Sequence, residues 1–328
     1  MTTAGLTLQT EGRMPAFDGA TGWLNSEPLT PEALRGRVVL VQFWTYTCIN
    51  WLRTLPYVRA WADAYGGHGL VVIGVHTPEF SFERDTTNVR SALEAMGISY
   101  PVALDSGYAV WEAFANHYWP ALYFVDATGR IRHHVFGEGD YDVSERVIRQ
   151  LLDEAGFDTD AQPLVAVTGE GVEAAADWDD LKTGETYLGY DRGGDFASPE
   201  PAAPGSRRYT APERLRRNHW ALSGNWSIGS EAVVLDEAGG GIAFSFHARD
   251  LNLVMGPLGR GGSARFRVRI DGRPPGPAHG IDVDDEGNGV VTDQRLYQLI
   301  RQPPPVVDRR FEIEFDDPGV LATVVTFG

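Results

Sequence analysis

The chain has 328 residues, more than one core usually takes, so two domains are expected. Hydrophobic residues make up 43% and charged residues 22%, the proportions of a folded soluble protein rather than a disordered or fibrous one. A net charge of -17 repels phosphate backbones and sets nucleic acid aside as a partner.

The opening "MTTAGLTLQTEGRMPAF" has no basic stretch followed by an apolar run, so it does not read as a signal peptide. No apolar run approaches the ~20 residues that cross a bilayer, so no transmembrane segment is expected. Read alone, these features place the chain in the cytoplasm. "VVLVQFW" (38–44) is the continuous β-branched and aromatic run of a buried strand. Helical spacing follows from Cys48 to Tyr65 and stops at Gly66-Gly67. "LVVIGVH" (70–76) is a second buried strand, and "ERDTTNVRSALEAMG" (83–97) a helix with a glycine stop. "YPVALD" (100–105) reads as a short strand and "YAVWEAFAN" (108–116) as a short helix. "ALYFVDATGRIRHHVF" (121–136) is a hairpin turning at Asp126–Gly129, and "YDVSERVIRQLLDEAG" (141–156) an amphipathic closing helix. This alternation predicts an α/β sheet with helices on both faces.

After about residue 160 the character changes. Residues 177–212 are rich in turn formers and read as irregular chain plus linker. From there "GIAFSFHA" (241–248), "LNLVMG" (251–256), "ARFRVRID" (264–271), "FEIEF" (311–315) and "ATVVTF" (322–327) predict an all-β sandwich, jelly-roll-like. The chain is thus read as an α/β domain over 1–165, a linker over 166–212 and a β domain over 213–328.

With one cysteine, no internal disulfide can form, and any disulfide must join Cys48 to another molecule. Cys48 follows a strand and opens a helix, where unpaired N–H groups and the macrodipole favour a thiolate. The bland alternative is a buried, inert thiol. "GVHTPEF" ends the second strand, and strand C-terminal ends gather beside the site in open α/β sheets. Glu79 is therefore a candidate catalytic proton acceptor beside Cys48, with capping of the next helix or simple exposure as the alternatives. His76 reads as a hydrogen-bonded structural residue, and at least one of His133 and His134 faces solvent. Trp44, Tyr46, Trp51, Tyr118 and Trp119 crowd the same edge and suit either core packing or an apolar groove. No Cys/His/carboxylate spacing suggests a metal site, and no cofactor motif stands out.

The segment "FWTYTCINWLRTLP" resembles the active-site turn of thioredoxin-like proteins of the TlpA/ResA type. "LRTLPYV", "GVHTPEFSFE", "HARDLNLVMG" and "QRLYQLIRQ" extend the resemblance over nearly the whole chain to the soluble C-terminal region of the DipZ family. There a thioredoxin-like domain precedes a carbohydrate-binding-module-like β domain, in an extracytoplasmic setting. The resemblance implies a kinking proline at Pro56 and a cis-proline at Pro120 facing the thiol. It implies a substrate groove formed by Trp44, Tyr46, Thr47, Asn50, Trp51, Trp119 and Pro120. The departure is Trp51, where the family carries the second Cys that resolves a mixed disulfide. Cys and Trp codons differ by one base, and Trp51 reads as natural divergence. Cys48 alone can form a mixed disulfide with a thiol-containing protein or a low-molecular-weight thiol, but cannot resolve it. The alternatives are a non-catalytic binding protein with a degenerate site and a single-Cys peroxidase, the latter resting on Thr45 three residues before Cys48. Trp220, Trp226 and Tyr297 are candidates for stacking on a carbohydrate, with the sandwich core as the competing place for at least two of them.

Overall fold

The computed structural model describes residues 6–159 and 163–328. The chain divides into two compact units, Met1–Glu173 and Ala174–Gly328.

The first unit contains, in chain order, β1 (Gly12–Arg13), β2 (Gly22–Leu24), β3 (Val38–Trp44), α1 (Ile49–Tyr65), β4 (Leu70–His76), α2 (Thr86–Ala95), β5 (Val102–Leu104), α3 (Ala109–Ala113), β6 (Ala121–Val125), β7 (Arg130–Phe136) and α4 (Tyr141–Glu154). The sheet order is β1-β7-β6-β3-β4-β5-β2. β3, β4 and β5 run parallel, and β6 lies antiparallel beside β3. This is the thioredoxin-like arrangement. β3 is central and all seven of its residues are buried, as its largely apolar run demands. Side chains alternate across a strand. Val39, Val41 and Phe43 therefore pack on one face with Val110 and Phe114. Leu40, Gln42 and Trp44 point to the other face, where α1 and α4 lie.

α1 and α4 are tied through a buried carboxylate. Glu145 accepts Trp61 Nε1 at 3.1 Å and Tyr65 Oη at 2.6 Å, and also the backbone N–H of Val165 at 2.8 Å. A second buried link joins Arg53 Nη1 to Glu138 Oε1 at 2.9 Å. Pro56 lies inside α1. α2 starts later than its sequence suggests because Asp85 is the N-cap and accepts Thr87 N at 2.9 Å.

The second unit is an antiparallel β domain. Trp220–Ile228 is shared between two sheets. Its first half pairs with Gly241–Phe246 and its second half with Val233–Leu235. Such strand switching is how stacked sheets turn corners. Phe244, Phe246, Phe266, Phe315 and Phe327 fill the core between them. The segment expected to be linker is part of this domain: Thr186–Tyr187 and Gly205–Tyr209 add strands, and Leu188 and Tyr209 enter the core. The three candidate sugar-stacking rings are all core. Trp220 is buried with Nε1 donating to Gly194 O at 2.8 Å, and Trp226 is buried with Nε1 donating to Ser223 O at 2.8 Å. Tyr297 is buried too, and its hydroxyl donates to Asp293 O at 2.8 Å. Burying large rings with their polar tips satisfied is the lower-energy arrangement, and it leaves none of the three for a carbohydrate.

Candidate active site

Cys48 is the N-cap of α1. Its backbone is extended, with ψ 113°, while its carbonyl accepts the first helical bond from Leu52 N at 2.9 Å. The first turn of α1 carries no acidic residue, so nothing there opposes the positive end of the helix dipole. The side chain is half-buried, and its thiol donates to the carbonyl oxygen of Trp119 at 3.8 Å. The Trp119–Pro120 peptide is cis.

Trp119 is held from beneath. Its Nε1 donates to Thr77 O at 3.0 Å, and its ring lies 4.3 Å from that of Trp111. Thr77 in turn donates from Oγ1 to Asp105 Oδ2 at 3.2 Å. Asp105 also accepts the N–H groups of Val110 and Trp111 at the start of α3. Burial pushes the Asp105 carboxyl up, and those bonds pull it partly back. On the surface beside this array, Tyr118 is 52% exposed and Phe136 42% exposed, with their rings 4.8 Å apart.

A buried carboxylate is bonded to the residue before the thiol, and it is Glu83. Thr47, the residue before Cys48, donates from Oγ1 to Glu83 Oε1 at 2.6 Å. Glu83 Oε2 accepts the N–H groups of Glu79 at 2.6 Å and Phe80 at 2.9 Å. The Glu83 side chain is 0% exposed, and burial raises its carboxyl to about 7, with the Thr45 and Thr47 hydroxyls opposing that rise. Glu79, the expected proton acceptor, is only half-buried; its backbone binds Glu83, and its charge helps raise Glu83. The desolvated carboxyl that the chemistry called for is thus four residues further on. The helix cap that competed for Glu79 in the sequence is Asp85. The signal available was the second acid in "PEFSFERD", which reads as a helix cap until Asp85 is seen to fill that role.

His76 is buried, and burial lowers it to about 3, so it is neutral at ordinary pH. It sits 3.5 Å from Thr45 Oγ1, between the rings of Trp44 and Tyr46. That is a structural role. His134 is exposed beside Glu11, and His133 is half-buried.

Most of the expected groove residues face inward. Trp44, Tyr46, Thr47, Trp51 and Pro120 are buried, so the surface around Cys48 is left to Asn50, Trp119 and Tyr118. Trp51 is 0% exposed and stacks on Trp44 with centroids 4.3 Å apart at 18°. Burying the ring area outweighs leaving the Trp51 Nε1 without a hydrogen-bond partner, and the inward-turned indole does not roof the thiol. No group of three or more His, Cys, Asp or Glu among the described residues is arranged to hold a metal ion.

Residues 12–134 match the AhpC/TSA family, and residues 183–328 match a family described as the thioredoxin-like C-terminal domain. Thiol-disulfide oxidoreductase YkuV of Bacillus subtilis is 30% identical over 141 residues, covering 43% of this chain and 95% of YkuV. The chain belongs to the thioredoxin-like family of the TlpA/ResA type. Protein DipZ of Mycobacterium tuberculosis is 40% identical over 271 residues, which is 81% of this chain and 38% of DipZ. Protein SUPPRESSOR OF QUENCHING 1 of Arabidopsis thaliana is 34% identical over 132 residues, 40% of this chain and 12% of that protein. The chain therefore spans well under half of the DipZ protein that it matches. Among the described residues Cys48 is the one cysteine, and position 51 carries a buried indole.

Proposed function

We propose that the protein is a single-cysteine member of its family that captures disulfides and holds them. The observation that carries this reading is the half-buried Cys48 thiol at the mouth of α1, 3.8 Å from the Trp119 carbonyl, with Trp51 turned away into the core. The Cys48 thiol loses its proton to solvent. The thiolate attacks one sulfur of a partner disulfide, a Cys48–S–S–R bond forms, and the other sulfur leaves as a thiolate. Cys48 is oxidised, the departing half of the partner is reduced, and no second thiol in the chain reverses the step. The partner is the disulfide form of a thiol-containing protein or of a low-molecular-weight thiol. The Trp119 carbonyl beside the sulfur, and the exposed Tyr118 and Phe136 rings, favour an extended peptide segment with apolar side chains.

The single-Cys peroxidase alternative rests on Thr45, which is fully buried and turned toward His76 and Glu83.

The test is intact-mass analysis after incubation with glutathione disulfide and removal of small thiols. One glutathione per chain is expected, stable until an external reductant is added, and none on Cys48→Ser. A chain that gains no adduct is a binding protein with a relic site, and the redox reading fails.

A further inference from the structure

We propose that Glu83 is a positioning residue that sets the reactivity of Cys48: through Thr47 it holds the turn that carries the thiol, and its charge opposes formation of the thiolate. This rests on the reading of Cys48 as the reactive group. The geometry is specific. Thr47 links the two: its hydroxyl is bonded to Glu83 Oε1 at 2.6 Å, and its chain neighbour is Cys48. The other carboxylate oxygen takes two backbone N–H groups from the loop after β4. Glu83 thus joins the two loops that flank the thiol. Removing any one of its bonds leaves a buried polar group unsatisfied, so the arrangement is held in place.

The groups facing Glu83 are Thr45, Tyr46 and Thr47 from the turn between β3 and α1, and Glu79 from its own loop. His76 at the end of β4 faces Thr45 and stays neutral. The Cys48 thiol faces the Trp119 carbonyl, and its backbone is the N-cap of α1. Helix dipole and Glu83 therefore act in opposite directions on the thiol. Below about pH 7 Glu83 is protonated and the helix end acts alone. Above it Glu83 is ionised while bonded to Thr47, the chain neighbour of Cys48, and that charge disfavours the thiolate. Two groups coupled in this way titrate as a pair.

The test follows alkylation of Cys48 by iodoacetamide across pH in the full chain and in Glu83→Gln. Gln keeps the bonding pattern, with its carbonyl accepting the two N–H groups and its amide donating to Thr47 Oγ1. The variant is expected to alkylate about threefold to tenfold faster than the wild type at pH ~8, with the gap closing toward pH ~6. A purely structural role would leave the two profiles superimposed, and that result overturns the proposal while leaving Cys48 reactive. Failure of the wild-type chain to react in its folded state sinks the function itself instead. A second measurement needs no Glu83 variant. Cys48 is capped with iodoacetate, which leaves a fixed negative charge, or with iodoacetamide, which leaves none. The Glu83 carboxyl stretch is then titrated by infrared spectroscopy. The charged cap is expected to move its midpoint upward, and equal midpoints for the two caps contradict the coupling.

Discussion

Trp51→Ala is expected to cost the N-terminal domain about 3–5 kcal/mol, the range for removing a fully buried Trp ring. The ring is 0% exposed and lies flat on Trp44, which in turn meets His76 edge-on at 4.9 Å. Truncation removes the buried area, leaves a cavity against the central strand and breaks a stack worth about 0.5–1.5 kcal/mol beyond area. Urea unfolding followed by circular dichroism reads the effect as an earlier transition of that domain. An unchanged midpoint means that the indole is not part of the core. The position at which the resemblance implies a second thiol is here a packing position.

Trp51→Cys carries the larger chemical effect. Residues i and i+3 at a helix start lie on one face with Cβ atoms about 5–6 Å apart, close enough for small shifts to bring two sulfurs into bonding range. Intramolecular attack at a millimolar effective concentration should release a trapped mixed disulfide about a thousandfold faster than a micromolar external thiol does. The variant should then cycle as a dithiol, while losing stability to the same cavity that Trp51→Ala opens. Measuring adduct lifetime by mass spectrometry in the two chains separates the effects, since the adduct on Trp51→Ala should be released far more slowly. A Trp51→Cys adduct that survives as long as the wild-type adduct shows that the rest of the site is no longer shaped for exchange.

The sequence carried the central strands and helices because each had an unambiguous physical signal. β3 and β4 are largely apolar, β-branched runs, and α1 stops at Gly66. The β6–β7 turn is closed by Gly129 in the left-handed region at φ 82°, with its N–H donating to Asp126 O at 2.8 Å. β1 and β2 are too short to have a period. Trp220–Ile228 escaped for a different reason. Its polar middle, Ser223-Gly224-Asn225, interrupts the alternation where the strand passes from one sheet to the other. Gly224 has φ 89° there, and a Cβ on it would meet Gly240 Cα at 2.7 Å. That bend is a tertiary requirement with no local signature.

At the site, Cys48 was legible because the one cysteine and a helix start coincide in the sequence. The direction of the Trp51 ring was not, since a helix position alone does not say whether an indole covers a thiol or enters the core. The choice between Glu79 and Glu83 was equally hidden. Both acids lie in one loop, and only the closure of that loop on Thr47 decides which is buried.

Capture of a disulfide requires that the Cys48 sulfur be reached in the folded protein. The direct measurement is iodoacetamide labelling of the full native chain at neutral pH, compared with the same chain in denaturing urea. One label per native chain, on Cys48 and at a rate comparable with the unfolded chain, is the predicted result. Labelling that appears only after unfolding contradicts it.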